Sequence, residues 1–308
     1  MLPWLTPLLL FALFAALLPD YLARSSLEQL LRDFAEPGLI ALAMAVVVLS
    51  GGIDLSLGAS FALTNLAALY LFQVQKLPLA LAALGAGATG LALGSLNGLL
   101  IGYVGARPFL TTLASLLILR AAYDGLSLSL SADLAAARDS TGWAFLGAGS
   151  VLGAPLNFVM LIGAGVAVQV FLSRIRPGIH LLAVGAEPRA AGYAGVDLRA
   201  TRWLAHALAG GLAGLAGLLY AAQQNNAGSD VGVGWEVTAL TAVVAGGIRL
   251  SGGRGTVAGA LAGAASVFLL GNGLLRLNVA GSAASAIIGL ALLVIVAPGS
   301  LAVLRALR

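Results

Sequence analysis

Val47-Val48-Leu49-Ser50-Gly51-Gly52-Ile53-Asp54-Leu55-Ser56-Leu57-Gly58 closes one apolar run and opens another. Two adjacent glycines each cost a helix about 1 kcal/mol relative to alanine. Asp54 and Ser56 then supply side-chain oxygens for the free amides at the start of a new helix. The stretch reads as a break between two apolar helices. It is echoed by Val243-Val244-Ala245-Gly246-Gly247-Ile248-Arg249-Leu250-Ser251-Gly252-Gly253, so that Gly-Gly-Ile-[Asp/Arg]-Leu-Ser occurs twice. Such an echo marks an internal repeat, or is what chance supplies in a chain rich in Gly, Ala, Leu and Val. A second echo, Asn-Gly-Leu-Leu at 97–100 and 272–275, sits at another offset and reads as coincidence.

The surrounding composition says what kind of helices these are. The 308 residues are 60% hydrophobic and 9% charged, with a mean hydropathy of +1.02, whereas charged residues make up about a quarter of a soluble domain. A membrane is the only solvent that suits such a chain. At about 20 residues per span there is room for roughly eight to eleven helices and no sizeable extramembrane domain, so residues 1–308 form a single membrane domain. Cysteine is absent, which removes disulfides, thiolate metal sites and cysteine nucleophiles. Histidine occurs only at His180 and His206, too few for a histidine metal centre. The single lysine, Lys76, has no glycine among the four residues before it, so no phosphate-cradling loop exists and the chain binds no nucleotide cofactor through one. A net charge of +4 and a pI near 9.8 arise from scattered arginines, which suit loops against anionic lipid better than nucleic acid.

Outward from the opening stretch, apolar runs fall at about 5–18, 37–50, 58–74, 78–104, 107–127, 156–173, 200–222, 236–248, 256–275 and 281–298. The reading is an all-α polytopic bundle of ten spans, broken at the Gly-Gly motifs. The first run reads as a retained span, because no Lys or Arg precedes it and no small-x-small cleavage site follows. Residues 24–36 place Leu27, Leu30, Leu31 and Phe34 opposite Arg24, Glu28, Arg32 and Asp33, the pattern of a short interfacial helix that Pro37 ends. A looser polar segment runs over 128–155.

With the N-terminus inside, inner loops hold Arg107, Arg174, Arg176, Arg189, Arg199, Arg202, Arg249, Arg254, Arg305 and Arg308. Outer loops hold Arg24, Arg32, Lys76, Arg138 and Arg276. Short cytoplasmic loops collect Lys and Arg, so both termini are expected in the cytoplasm. Arg120 falls inside the fifth span with Asp124 one turn later, an ordinary intrahelical ion pair or a functional pair. The series Gly90, Gly94, Gly98, Gly102 and Gly210, Gly214, Gly217 are small-residue stripes that let helix backbones approach in lipid.

Asp54 is the ionisable residue most embedded in apolar sequence. It reads as a cap for the third helix, or as a proton- or sodium-binding carboxylate; no second carboxylate lies in a span near it. The long polar insertion, about 174–202, contains Gly185, Glu187, Pro188, Arg189, Ala190, Ala191 and Gly195. Glu187 and Pro188 are placed to open a short helix whose small face, Ala190, Ala191 and Ala194, docks on a partner. The alternative is a solvated linker.

Four ordered motifs resemble those of the permease subunits of bacterial monosaccharide ABC importers, the ribose, xylose, arabinose and galactofuranose branch. They are Gly51 to Gly58, Arg107-Pro108-Phe109-Leu110-Thr111-Thr112-Leu113 with Arg120, Ala183 to Val196, and Ser251-Gly252-Gly253-Arg254-Gly255-Thr256. The resemblance runs from about residue 37 to 296. It departs at Glu187 and Pro188, where many members have Asn, and at Arg107, where an apolar residue is usual. It implies a transport subunit of the bacterial inner membrane, paired with a second copy or a paralogue. It also implies a cytoplasmic ATPase that uses ATP and Mg, seated on the 174–202 coupling segment, and a periplasmic sugar-binding protein. This chain itself would be no enzyme.

A neutral polyol needs a path with a few hydroxyls and amides, and polar groups facing lipid are costly. Ser56, Thr64, Asn65, Asn97, Thr111, Thr112, Ser115 and Asn272 are the candidate lining groups, with helix packing the alternative for each. No aromatic-plus-carboxylate cluster suited to gripping a sugar is visible along the chain. A second class, an ion-coupled secondary transporter of a small polar solute, would need intramembrane carboxylates, for which only Asp54 and Asp124 offer themselves.

Overall fold

The computed structural model describes residues 4–134 and 140–279, together with 281, 283, 286, 287, 289 and 290. Its elements in chain order are α1 (Leu5–Leu17), α2 (Arg24–Leu49), α3 (Leu57–Leu69), which a π-turn (Tyr70–Val74) prolongs, α4 (Leu79–Gly102), α5 (Pro108–Leu134) and α6 (Thr141–Ala148). A two-residue hairpin follows, β1 (Ser150–Val151) and β2 (Ala154–Pro155), paired antiparallel with Val151 opposite Ala154. Then come α7 (Leu156–Arg174), α8 (Arg176–Ala186), α9 (Pro188–Tyr193), α10 (Leu198–Gln224), α11 (Trp235–Ala245) and α12 (Val257–Arg276).

Among the described residues, six helices are long and apolar enough to cross a membrane: α3 with its π-turn, α4, α5, α7, α10 and α12. The chain is therefore a multi-pass helical membrane protein. The expected tenth span at 281–298 lies largely outside the described residues, as do Arg138, Arg305 and Arg308. Leucines and isoleucines point outward from the flanks of α4, α5 and α7, among them Leu84, Leu96, Leu117, Ile118 and Ile162. Lipid tails accept such a surface; water would not.

Two boundaries differ from the sequence expectation. The interfacial helix that Pro37 was expected to end does not exist as a separate piece, because α2 runs unbroken for 26 residues through Pro37. A proline inside a helix removes one hydrogen bond and crowds the carbonyl four residues back, about 3 kcal/mol. Every residue from Gly38 to Leu49 is buried, however, and that packing outweighs the loss. The fifth helix likewise continues to Leu134, and the loose segment beyond it contains α6 and the hairpin.

α2 and α10 form the centre of the bundle, and α3 and α4 pack on α10. Contact between α4 and α10 is made backbone on backbone. A Cβ at Gly94 would run into the carbonyl of His206 and stand 2.9 Å from Gly210 Cα, and one at Gly98 would stand 2.6 Å from the Trp203 carbonyl. The glycine stripe of α4 thus lies on Arg199 to Gly214 of α10, as small-residue stripes do in lipid. Gly217, one turn on, makes the corresponding contact with α3 at Asn65 N, 2.8 Å away.

Candidate functional site

Both Gly-Gly motifs end helices in the same way. After α2, Gly51 N–H donates to Val48 O (2.9 Å) and Gly52 N–H to Val47 O (3.1 Å), with Gly51 at φ +86°. After α11, Gly247 N–H donates to Val244 O (3.0 Å) and Ile248 N–H to Val243 O (3.1 Å), with Gly247 at φ +82°. Each is the paired 5→2 and 6→1 closure that a left-handed glycine permits. The equivalence aligns Val47 with Val243 and Gly51 with Gly247, one residue out of register with the Gly-Gly-Ile echo.

The end of α2 and the loop that follows α11 meet the end of α8. Gly253 N–H donates to Leu49 O (2.9 Å). A Cβ on Gly185 would collide with that same Leu49 carbonyl and lie 2.8 Å from Gly253 N. Residues 49–52, 185–186 and 251–253 therefore interlock without side chains, beside a cavity of about 350 Å³ that Arg107, Arg202 and His206 also line.

Behind this junction lies a buried polar chain. Ser115 Oγ donates to Asn97 Oδ1 (2.5 Å), Asn97 Nδ2 to Ser56 Oγ (2.8 Å), and Ser56 Oγ to Asp54 Oδ1 (2.6 Å). Asp54 Oδ1 also receives the Ser56 amide at 2.9 Å, and Oδ2 lies 3.0 Å from His206 Nδ1. Asp54 is thus not a helix cap in the strict sense. α3 starts at Leu57 behind Ser56, whose side chain makes no cap bond; Asp54 instead ties the preceding turn to α10. Sequence reasoning missed His206 because 152 residues separate it from Asp54.

The lining candidates divide accordingly. Ser56, Asn97 and Ser115 belong to this one chain, and Thr112 sits beside it with its hydroxyl on Pro108 O at 2.9 Å. Thr111 is half-buried and bonds back to Arg107 O. Thr64 donates to Ser60 O in its own helix (2.7 Å), and Asn65 donates to Asn226 O (2.9 Å). Asn272 is elsewhere, on α12, with a buried Oδ1 that has no hydrogen-bond partner.

In the 174–202 segment, Glu187 accepts the Arg189 amide at 3.3 Å and Pro188 is the first residue of α9. Glu187, Arg189, Ala190, Ala194 and Gly195 are exposed and Pro188 is half-buried. Gly185 and Ala191 are buried within the chain, which takes both off any outward docking face. Tyr193, which the sequence did not single out, stands 93% exposed.

The opposite end is tied by polar groups. Arg120 pairs with Asp124 at 2.9 Å, as its spacing implies. It also reaches across to Val231 O (2.7 Å) and Ser229 O, and lies over the Tyr123 ring. Asn157 Nδ2 donates to Glu36 Oε1 (3.1 Å) and Gln223 Oε1 (2.8 Å), and Gln223 Nε2 donates to Asp33 Oδ1 (2.9 Å). Glu36 is buried, a second carboxylate inside the bundle that the expected interfacial helix had placed outside it. An aromatic-plus-carboxylate cluster, absent along the chain, is assembled by folding: Asp33, Trp235, Thr238 and Asn272 line one cavity. Among the described residues, no group of three His, Asp or Glu side chains is placed to hold a metal.

The fold is a polytopic helical bundle with a buried polar chain inside it, and similarity to known proteins identifies its class. Residues 26–297 match the family described as branched-chain amino acid transport system / permease component, and the chain belongs to that family. It is a transport subunit, not an enzyme. The chain is similar to the ribose import permease protein RbsC of Bacillus subtilis (strain 168), 33% identical over 279 residues, with 90% of this chain and 85% of the relative covered. It is similar to the autoinducer 2 import system permease protein LsrD of Enterobacter sp. (strain 638), 33% identical over 317 residues, covering 98% and 94%. The D-allose transport system permease protein AlsC of Escherichia coli (strain K12) is 29% identical over 272 residues, covering 88% and 82%. No solved structure matches.

Proposed function

We propose that this chain forms the translocation path of an ATP-driven importer for a neutral monosaccharide. The observation that carries the reading is the near full-length similarity to permeases named for ribose and D-allose. In this reading the chain has ten spans and two cytoplasmic termini, lies in the bacterial inner membrane, and pairs with a second copy or a paralogue. A cytoplasmic ATPase supplies ATP and Mg chemistry and seats on the exposed side of α9, at Glu187, Arg189, Ala190 and Tyr193. A periplasmic binding protein delivers the sugar at the opposite end. Asn97, Ser115 and Ser56 offer the hydroxyl and amide groups that stand in for water as the sugar passes.

The buried Asp54–His206 pair favours one rival, an ion-coupled carrier. Reconstitution with the ATPase and binding protein in liposomes separates the two. Uptake of D-ribose or D-allose that needs ATP and survives a proton ionophore supports the importer. Uptake without ATP that collapses with the proton gradient overturns it.

A further inference from the structure

The cavity walled by α2, α11 and α12 holds about 320 Å³, within the range of small-ligand sites. Most of its wall is apolar, with Ile40, Trp235 and Phe268 among the lining, and its polar groups are Asp33, Thr238 and Asn272. Trp235 is held by a stacked Phe61 ring at 4.4 Å, so the indole is fixed in place. Asn272 lines the cavity, and its amide oxygen is fully buried with no partner among the described residues, a state that native interiors rarely leave unanswered. Asp33 spends Oδ1 on Gln29 (2.7 Å) and Gln223 (2.9 Å), and its Oδ2 takes no hydrogen bond from the described residues.

A second cavity nearby, about 450 Å³ between α1, α2, α7 and α12, is lined only by apolar and aromatic side chains. It suits an acyl chain. The first cavity is different, because three polar groups of different chemistry face a wall that includes an aromatic ring. A sugar ring matches that pattern: its C–H face is apolar, and its hydroxyl rim donates to a carboxylate and exchanges donors and acceptors with an amide and a hydroxyl.

We propose that this cavity is a monosaccharide subsite of the permease itself, with the sugar ring against Trp235 and its hydroxyls on Asp33, Thr238 and Asn272. The inference rests on the importer reading and deepens it. Asp33 and Asn272 lie toward the bundle end opposite the Gly185 junction, so the subsite stands where a sugar handed over by a binding protein would first be held. Selectivity then resides partly in this chain.

Equilibrium dialysis of radiolabelled D-ribose and D-allose against the purified permease in lipid nanodiscs tests the subsite without relying on transport. Saturable millimolar binding of at least one sugar is expected. Asn272→Leu should weaken it tenfold or more, and Thr238→Val, at an exposed position whose hydroxyl donates to Gly234 O of its own helix (3.1 Å) and keeps its lone pairs for a ligand, about threefold. Should Asn272→Leu fail to purify, Thr238→Val decides alone. No saturable binding by the intact chain, or binding indifferent to both substitutions, overturns the proposal. ATP-driven uptake by the complete importer is measured separately. Uptake without dialysis binding sinks the subsite and leaves the importer standing, whereas binding without uptake does the reverse.

Discussion

His206 Nδ1 lies 3.0 Å from Asp54 Oδ2, and the two side chains are 2% and 1% exposed. The contact fastens the turn between α2 and α3 to the middle of the bundle. Both carboxylate oxygens are occupied, Oδ1 by Ser56 and Oδ2 by His206, so this group is satisfied where it stands.

Removing one partner leaves the other buried and unpaired, a loss of about 3–5 kcal/mol for such pairs. Asp54→Leu and His206→Leu should each sharply lower the yield of monodisperse protein and its melting temperature in detergent. The double variant should recover part of the loss. Asp54→Asn keeps an acceptor for Ser56 and should cost only about 1–2 kcal/mol. ATP-driven uptake should then fall moderately; abolished uptake in a stable Asp54→Asn protein would assign the carboxylate a transport role.

Gly185 offers a sharper steric test. An added methyl meets the Leu49 carbonyl and the Gly253 amide, both backbone, so neither yields by changing rotamer. Gly185→Ala should unfold the junction, measured as protease cleavage in residues 174–202. At Gly195 nothing stands within 4 Å, although φ is +84°. Gly195→Ala should therefore cost only about 1–2 kcal/mol, the penalty of a left-handed alanine.

Ala190 and Ala191 are adjacent but not equivalent. Ala191 is 6% exposed, so Ala191→Trp should overpack the chain's own interior and cost about 1–3 kcal/mol in the isolated permease. Ala190→Trp and Tyr193→Ala should leave the isolated permease as stable as before and weaken its assembly with the ATPase, about tenfold for the tyrosine if it is a buried aromatic anchor in the complex. Co-purification and ATP hydrolysis read this out. Full assembly with both substitutions would make α9 a solvated connection.

The chain has no native cysteine, so single introduced thiols report topology cleanly. Ala190→Cys should react with an impermeant maleimide only from the cytoplasm, and Ser229→Cys only from outside. Both labelled from the same side would overturn the orientation drawn from the arginine loops.

What the sequence disclosed follows from local physics. The α4 stripe and the helix ends at Gly51 and Gly247 need only the missing side chain of glycine, which is visible at once. The opening of α9 at Glu187 and Pro188 is local in the same sense. Pro37 misled because its cost is local while the compensation, burial of residues 38–49, is tertiary. The Asp54–His206 pair and the cluster of Asp33, Trp235 and Asn272 unite residues from distant helices, and no spacing along the chain announces such a meeting.

Consider finally what the glycine junction transmits. Contacts made by side chains have slack, since a rotamer can swing to absorb a displacement; the meeting of Gly185 with the Leu49 carbonyl has none. A displacement of α8 at Gly185 would bear directly on the tip of α2. That helix is a strut on which Leu49 and Asp33 are 16 residues, or about 24 Å, apart. Its one interior weak joint is Pro37, where a backbone hydrogen bond is missing. A push at one face of the bundle therefore arrives at Asp33 either as a rigid stroke or as a flexure at Pro37. Substituting Pro37 with alanine would stiffen the strut and separate those two modes.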